Sequence, residues 1–259
     1  MPPPGSRATV FQPETNSLAP VSGNGYSNKE VVIDWFPLWL SLKVAAVSTG
    51  AAVVIGLWVA WLLANREFRG RELLDAAVTL PLVLPPTVLG YYLLVLLGRA
   101  TPFGRVYEWL FGSPLVFTWQ AAVVAAFLHA MPLLVKSARA AFESVDHVYE
   151  RAARSLGASE LLTFGRVTLP LARRSILAAA ALAFARSLGD FGVTIMFAGN
   201  IPGRTQTVAV AIYDAVESGN GALARTLVLV ISAVSLAVIW FANRVGGRPF
   251  GGRRAPEPF

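Results

Sequence analysis

The side chains that most often carry out enzymatic chemistry are sparse in this sequence and poorly placed for it. Cysteine is absent, which excludes thiolate catalysis, disulfides and Cys-ligated zinc or iron–sulfur sites. The two histidines, His129 and His147, lie on different parts of the chain and lack the spacing of metal ligands. A P-loop needs a lysine directly after a glycine, and none of Lys29, Lys43 and Lys136 follows one. We therefore expect no catalytic residue, no bound metal or cofactor and no ATPase activity in this chain.

The composition is that of a membrane protein. Of the 259 residues, 55% are hydrophobic and 14% are charged, and the mean hydropathy is +0.56, whereas a soluble domain carries about 25% charged residues. The net charge of +7 does not indicate a nucleic-acid partner, because the arginines lie between apolar runs. Five apolar segments approach or exceed the length of about 20 residues that crosses a bilayer: 39–64, 74–97, 116–135, 176–198 and 223–241. The sequence therefore predicts an all-α, polytopic membrane helix bundle with about five transmembrane helices.

The span predicted over 176–198 contains two charged residues, four positions apart. Arg186 and Asp190 would lie on one helix face and pair there, which is the tolerated arrangement of charge inside a membrane. Small and hydroxyl-bearing residues follow on the same segment, and either they line a polar translocation pathway or they allow close helix packing. The candidate pathway residues are Arg186, Ser187, Gly189, Asp190, Gly192 and Thr194. For Arg186 we favour structural neutralisation by Asp190 over contact with a transported anion.

Three other apolar-segment features predict details of helix structure and packing. The second span contains Pro81, Pro85 and Pro86, which predict a kink that serves either packing or gating. His129 is expected to make a hydrogen bond between helices. The segment 208–216 is apolar but too short to cross a bilayer, so we expect a partial helix on the outer side.

The Lys and Arg residues of the loops predict the orientation in the membrane. Fourteen of them lie on one side of the predicted spans and six on the other, and the richer side should be cytoplasmic. Five spans then place the N-terminus on the outer side and the C-terminus on the cytoplasmic side of the inner membrane. We expect a disordered N-terminal tail over 1–34, a transmembrane domain over 35–245 with one long cytoplasmic segment at about 136–174, and a cytoplasmic tail over 246–259.

That long cytoplasmic segment contains the signals of two short helices. Asp146 can cap a helix beginning near His147, and Gly157 can end it or form a turn. A second helix is expected from about Ser159, and Pro170 begins the return to the membrane. Two helices this short cannot fold alone, and the small side chains of Ala152 and Ala153 allow another protein to approach closely.

The same segment resembles the cytoplasmic loop of ABC importer permeases. Ala152-Ala153, Gly157, Val167 and Leu169-Pro170 fall at the family's spacing; Arg151 occupies the usual Glu position, with Glu150 one residue earlier, and Val167 replaces the more usual Ile. The resemblance implies the type I permease fold and a coupling helix over 147–160 that enters a groove on a separate ATPase subunit, which binds ATP and Mg. The residues it assigns to ATPase coupling are Glu150, Ala152, Ala153, Gly157, Leu169 and Pro170.

A second resemblance indicates which branch of this family the sequence resembles, and so which cargo. Residues 183–192, Ala-Phe-Ala-Arg-Ser-Leu-Gly-Asp-Phe-Gly, look like a stretch of molybdate permeases in which Asp190 replaces Glu, and 200–207 is similar to the loop that follows it. The resemblance covers about 39–243 and implies import of molybdate, or tungstate. The implied partners are a second copy of the chain in a homodimer, ATPase subunits and an extracytoplasmic oxyanion-binding protein.

Three alternatives remain open at the level of sequence. A sulfate or thiosulfate permease shares the first resemblance with a different cargo. A channel without an ATPase would lack the coupling pattern. A membrane enzyme acting on lipids would need a polar cluster at the interface, for which Asp214 and Glu217 are the nearest pair, without a histidine beside them.

Overall fold

The computed structural model describes residues 34–246, so the predicted tails over 1–34 and 246–259 lie almost entirely outside the described residues. This part of the chain is helical and contains no β-strand. Its helices, in chain order, are α1 (Phe36–Asn65), α2 (Arg71–Val83), α3 (Pro86–Leu97), α4 (Pro102–Phe111), α5 (Trp119–Glu143), α6 (His147–Ser155), α7 (Glu160–Thr163), α8 (Leu169–Leu188), α9 (Gly192–Phe197), α10 (Val208–Glu217) and α11 (Gly221–Gly246); a π-helical stretch over Phe164–Thr168 joins α7 to α8.

Four helical segments are long and apolar enough to cross a membrane. They are α1, α5, the continuous helix from α7 through α8 (Glu160–Leu188), and Gly221–Ala242 of α11. The pair α2 and α3 forms a fifth span only if the two helices are counted together. The predicted helix bundle of about five spans is therefore confirmed.

The second predicted span, over 74–97, is not one helix. The chain bends by 117° between α2 and α3, so the expected kink is a complete break in the helix. Pro85 and Pro86 are the cause, because proline lacks an N–H and forces the preceding residue out of helical conformation. Leu84 and Pro85 accordingly have extended ψ angles of 141° and 138°.

The span predicted over 176–198 is displaced along the chain. Its helix begins at Glu160 and ends at Leu188, and the short helix α9 follows after Gly189, Asp190 and Phe191. The prediction was wrong at this end because hydropathy continues through the break, whereas the backbone does not. Asp190 therefore lies beyond the end of α8 and not on its surface.

Small side chains form most of the interface between α1, α5 and α8. Fully buried alanines include Ala52 on α1, Ala130 on α5 and Ala183 on α8, which pack in one cluster. Gly56 brings α1 close to α5: a Cβ there would lie 2.9 Å from Leu134 Cδ2. This is the small-residue packing expected between membrane helices.

The remaining helices lie around this three-helix core. Lys136 of α5 donates to Asp75 of α2 at 2.7 Å, and the backbone N–H of Val208 at the start of α10 donates to Ser41 Oγ of α1 at 2.8 Å. α10 is the partial helix expected over 208–216. By contrast, only 11% of the span in α11 is buried within the chain.

Candidate functional site

Helix α6 begins and ends at the residues predicted for it. Asp146 Oδ1 accepts a hydrogen bond from the backbone N–H of Val148 at 2.9 Å, which caps the helix. Gly157 has φ = +84° and supplies the left-handed turn that ends it. The backbone N–H of Ala158 then donates to Ala153 O at 3.1 Å, which closes the turn.

The sequence predicted a separate second short helix from about Ser159, but in the structure this helix is continuous with α8. Ser159 caps α7, accepting from the backbone N–H of Leu162 at 3.4 Å. α7 then continues through the π-helical stretch into α8 as one 29-residue helix, Glu160–Leu188. We call its first part, Glu160–Thr168, the elbow. Leu169 and Pro170 lie inside this continuous helix, at the first turn of α8. Pro170 is accommodated there because a π-helical register precedes it and relaxes the backbone pairing.

Glu150 faces the interior of the protein, although its helix is on the surface. Only 6% of this residue is exposed. Its Oε1 accepts a hydrogen bond from Thr168 Oγ1 at 2.6 Å, and its Oε2 lies 3.5 Å from Arg154 Nη2 and 3.4 Å from His147 Nδ1. Glu150 therefore ties α6 to the helix of the elbow and does not present its carboxylate to a partner. Thr168 was missed in the sequence, where no local spacing relates it to Glu150.

The outward surface of α6 and the elbow exposes large apolar side chains alongside charged ones such as Arg151 and Arg154. Leu156 is 88% exposed and Leu161 is 74% exposed, and Val148 and Tyr149 are exposed beside them. Ala152 is exposed and Ala153 half-buried. Large exposed apolar side chains grouped in this way are typical of an interaction surface.

A second ionic contact holds the elbow against α1. Arg66, at the C-terminal end of α1, forms an ion pair with Glu160 at the start of α7. Between α1, α6 and the elbow lies a cavity of about 250 Å³ with Glu150 and Arg154 on its wall. α6 is thus held to the elbow by Glu150 and Thr168, and the elbow is held to α1 by Glu160 and Arg66.

Two of the candidate pathway residues, Arg186 and Thr194, contact a third, Asp190, which is 4% exposed. Its Oδ1 lies 2.6 Å from His129 Nδ1, and its Oδ2 accepts from Thr194 Oγ1 at 2.6 Å. The predicted partner Arg186 is present but more distant, with Nη1 at 3.8 Å from Oδ1. The main partner is therefore His129 of α5, which the sequence predicted as a hydrogen-bonded helix contact and not as a member of this cluster.

The other candidate pathway residues divide between packing and exposure. Ser187 is buried, with its hydroxyl 3.2 Å from that of Ser48 on α1. Gly192 packs against the helix break of α2 and α3: a Cβ there would lie 2.5 Å from Pro86 Cβ. Gly189 is exposed at the end of α8. The geometry around Ser187 and Gly192 is that of close helix packing.

Asp214 has structural partners and does not form a site with Glu217. Its Oδ1 accepts from Asn200 Nδ2 at 3.2 Å, and its Oδ2 accepts from Gln206 Nε2 at 3.4 Å. These contacts hold the loop over 200–207 against α10. Within residues 34–246, no group of three His, Asp or Glu side chains is arranged to hold a metal.

Residues 52–249 match the family described as "Binding-protein-dependent transport system inner membrane component", and the chain belongs to this family. It is therefore a membrane-embedded permease component and not the ATPase. The fold is that of the type I ABC importer permeases: the MetNI methionine ABC transporter, in inward-facing conformations, aligns with a TM-score of 0.64 and 20% identity over 81% of this chain and 93% of that chain.

Within this family, the chain is similar to permeases of molybdenum transport systems. It is 44% identical to the molybdenum transport system permease protein ModB of Escherichia coli (strain K12), over 80% of this chain and 90% of that protein. It is 42% identical to ModB of Haemophilus influenzae, over 80% of this chain and 92% of that protein. The sulfate transport system permease protein CysT of Escherichia coli is more distant, at 35% identity over 88% of this chain and 80% of that protein.

Proposed function

We propose that this chain is the permease subunit of an ATP-driven importer of molybdate, with tungstate as an alternative cargo. The observation that carries the proposal is the higher identity to molybdenum permeases, 44%, than to a sulfate permease, 35%, both over most of the chain. The stretch 183–192 that suggested the cargo contains Asp190, which accepts a hydrogen bond from Thr194 just beyond that stretch. The stretch 200–207 contains Asn200 and Gln206, which are hydrogen-bonded to each other.

The proposed assembly is a homodimer of this chain with two ATPase subunits and an outer oxyanion-binding protein. The coupling loop lies on the cytoplasmic side, with the N-terminus outside and the C-terminus inside, as the excess of Lys and Arg in the loops indicates. One observation supports a protein partner: the exposed apolar side chains around Leu156, on the surface proposed to contact the ATPase.

In the proposed mechanism, closure of the two ATPase subunits is transmitted to the permease through α6 and the elbow. The helix from Glu160 to Leu188 is 29 residues long, which corresponds to about 43 Å. Glu150 joins α6 to this helix through Thr168. The far end of the helix, at Leu188, is followed within two residues by Asp190. Displacement of α6 by the ATPase therefore moves a rigid element that ends at the buried cluster. Nucleotide and cargo occupy different sites, so this is allosteric coupling.

Uptake competition tests the cargo. The chain is expressed with its ATPase and binding protein in a bacterial strain that lacks molybdate uptake, and uptake of radiolabelled molybdate is measured with excess tungstate or sulfate. We expect tungstate to compete and sulfate not to compete. Sulfate uptake without molybdate uptake would instead establish the sulfate permease. Transport that persists without the ATPase subunit would establish a channel.

A further inference from the structure

A cationic pocket lies at the end of the bundle opposite the coupling loop. It has a volume of about 410 Å³ and is formed where the N-terminal part of α1, the N-terminus of α5 and the loop after α9 meet. α5 has 25 residues, so about 37 Å of helix separates its two ends. On the proposed orientation, this end faces outward. The residues on its wall with polar side chains, apart from Trp39 and Trp119, are Lys43, Arg204, Ser113, Thr118, Gln120 and Thr205.

The two cations of this pocket are not neutralised by carboxylates. Neither Lys43 nor Arg204 forms an ion pair with any Asp or Glu among residues 34–246. Lys43 Nζ instead lies 3.7 Å from the centroid of the Trp119 ring, which orients the ammonium and leaves its charge uncancelled. Arg99, at the same end of the molecule, behaves differently: Nε donates to Glu108 at 3.0 Å, and this contact raises the pKa of Arg99.

The backbone around the pocket adds further positive potential. Thr118 caps α5, accepting from the backbone N–H of Ala121 at 3.3 Å, and its hydroxyl donates to Leu115 O at 2.5 Å. The first turn of α5, with Trp119 and Gln120, faces the pocket. A helix N-terminus presents backbone N–H groups and the positive end of the dipole. The loop with Arg204 is held by Thr205, whose Oγ1 accepts from the backbone N–H of Ile201 at 3.1 Å.

We infer that this pocket is an outer binding site for a tetrahedral oxyanion, held by Lys43 and Arg204. An oxyanion dianion accepts hydrogen bonds and donates none, and the pocket offers an ammonium, a guanidinium, the Ser113 hydroxyl and the Gln120 amide as donors. The same chemistry recognises the transported oxyanion or the phosphate of a lipid headgroup. As a site for cargo, the pocket would receive the anion from the binding protein, an assignment that rests on the proposed function.

The test uses the complete transporter, permease and ATPase subunits together, purified in a maltoside detergent that contains no phosphate. Binding of sodium molybdate is measured by titration calorimetry, and retention of added phosphatidylglycerol by native mass spectrometry. The variants are Lys43→Gln and Arg204→Gln, with Lys43→Arg as the charge-preserving variant. Arg105→Gln is the matched control, because Arg105 is an exposed cation on the outer helix α4 and does not line the pocket.

We expect each neutral substitution in the pocket to weaken molybdate binding about tenfold, because a hydrogen bond to a charged group is worth about one tenfold step in affinity or more. Lys43→Arg should retain binding, and Arg105→Gln should bind as the unchanged chain does. Loss of phosphatidylglycerol with unchanged molybdate binding would assign the site to lipid phosphate. If neither ligand responds to Lys43→Gln or Arg204→Gln, the inference is overturned.

Uptake by the unchanged transporter separates this inference from the proposed function. If the unchanged transporter imports molybdate and the pocket variants bind both ligands normally, only the outer site is wrong. If the unchanged transporter imports no molybdate, the proposed function is wrong, and the lipid measurement still decides the site. The melting temperature of each variant complex shows whether Lys43→Gln or Arg204→Gln disturbs folding. Lys43→Arg separates loss of charge from loss of packing.

Discussion

Glu150 Oε1 accepts a hydrogen bond from Thr168 Oγ1 at 2.6 Å, and this contact joins the surface helix α6 to the helix that enters the membrane. Both residues are buried. A coupling helix attached only by its loop could be displaced without moving the bundle. The buried contact removes that freedom, so the proposed coupling depends on it directly.

Thr168→Val removes this contact while keeping the shape of the side chain. We expect uptake per ATP hydrolysed to fall, because losing a hydrogen bond to a buried charged group costs about 1.5–3 kcal/mol. Uptake and ATP hydrolysis are measured together in proteoliposomes. Thr226→Val is the control, since Thr226 is half-buried and its hydroxyl donates to Ala222 O of its own helix, which keeps the bond within one element. An unchanged ratio in Thr168→Val would refute the role of the contact.

Leu156→Asp tests the partner surface without disturbing the core. Leu156 is 88% exposed, so the substitution should change the stability of the chain by less than about 0.5 kcal/mol. It should nevertheless abolish co-purification of the ATPase, because it places a negative charge among the exposed apolar side chains of the proposed partner surface. Normal recovery of the ATPase with Leu156→Asp would mean that this surface is not the interface.

Gly157 can be tested by two substitutions that differ in their tolerance of a positive φ. At φ = +84°, a β-branched side chain costs about 1–2 kcal/mol or more, whereas Asn tolerates the left-handed region. We expect Gly157→Val to abolish uptake with normal membrane insertion, and Gly157→Asn to retain most of it. Cell fractionation measures insertion alongside uptake. Equal uptake by the two variants would contradict this explanation.

The pair of His129 and Asp190 is suited to a double-mutant cycle. Breaking a buried pair by truncating one partner costs about 3–5 kcal/mol, because the other partner is left unpaired. His129→Ala and Asp190→Ala should therefore each lower the thermal stability of the purified protein strongly. The double variant should be far less destabilised than the sum of the two. Additive losses would show that the two side chains act independently.

Gly192→Ala should be more destabilising than the same change at Gly50. A Cβ at Gly192 would lie 2.5 Å from Pro86 Cβ, whereas a Cβ at Gly50 would meet no atom within 4 Å. Gly50 lies inside α1, where alanine is favoured over glycine by about 1 kcal/mol. The melting temperature should fall for Gly192→Ala and stay level or rise for Gly50→Ala. A neutral Gly192→Ala would mean that the two helix breaks can separate.

The features that were predictable from the sequence are those specified locally. A helix start needs one capping side chain, as at Asp146, and a helix end needs one residue that accepts a positive φ, as at Gly157. Hydropathy over about 20 residues locates spans well. The fourth span was misplaced because apolar residues continue past Leu188, where the helix ends.

The contacts that were not predictable join residues far apart in the chain. His129 and Asp190 are separated by 61 positions, and Glu150 and Thr168 by 18. A single sequence shows that a buried carboxylate needs a partner, but not which distant side chain the packing of helices will bring to it. The pairing of Arg186 with Asp190 was found because it is local, and it is the weaker of the two contacts.

The helix breaks at Pro85–Pro86 and at Gly189–Phe191 touch each other through Pro86 and Gly192. Each break frees peptide groups from helical pairing, and hydrocarbon offers such groups nothing to bond with. The seam where the breaks meet must therefore be screened from acyl chains, either by protein or by water. We therefore expect the side of the bundle that carries the two breaks to be kept away from lipid. The lipid-facing surface is then formed by uninterrupted helices such as α1 and α11.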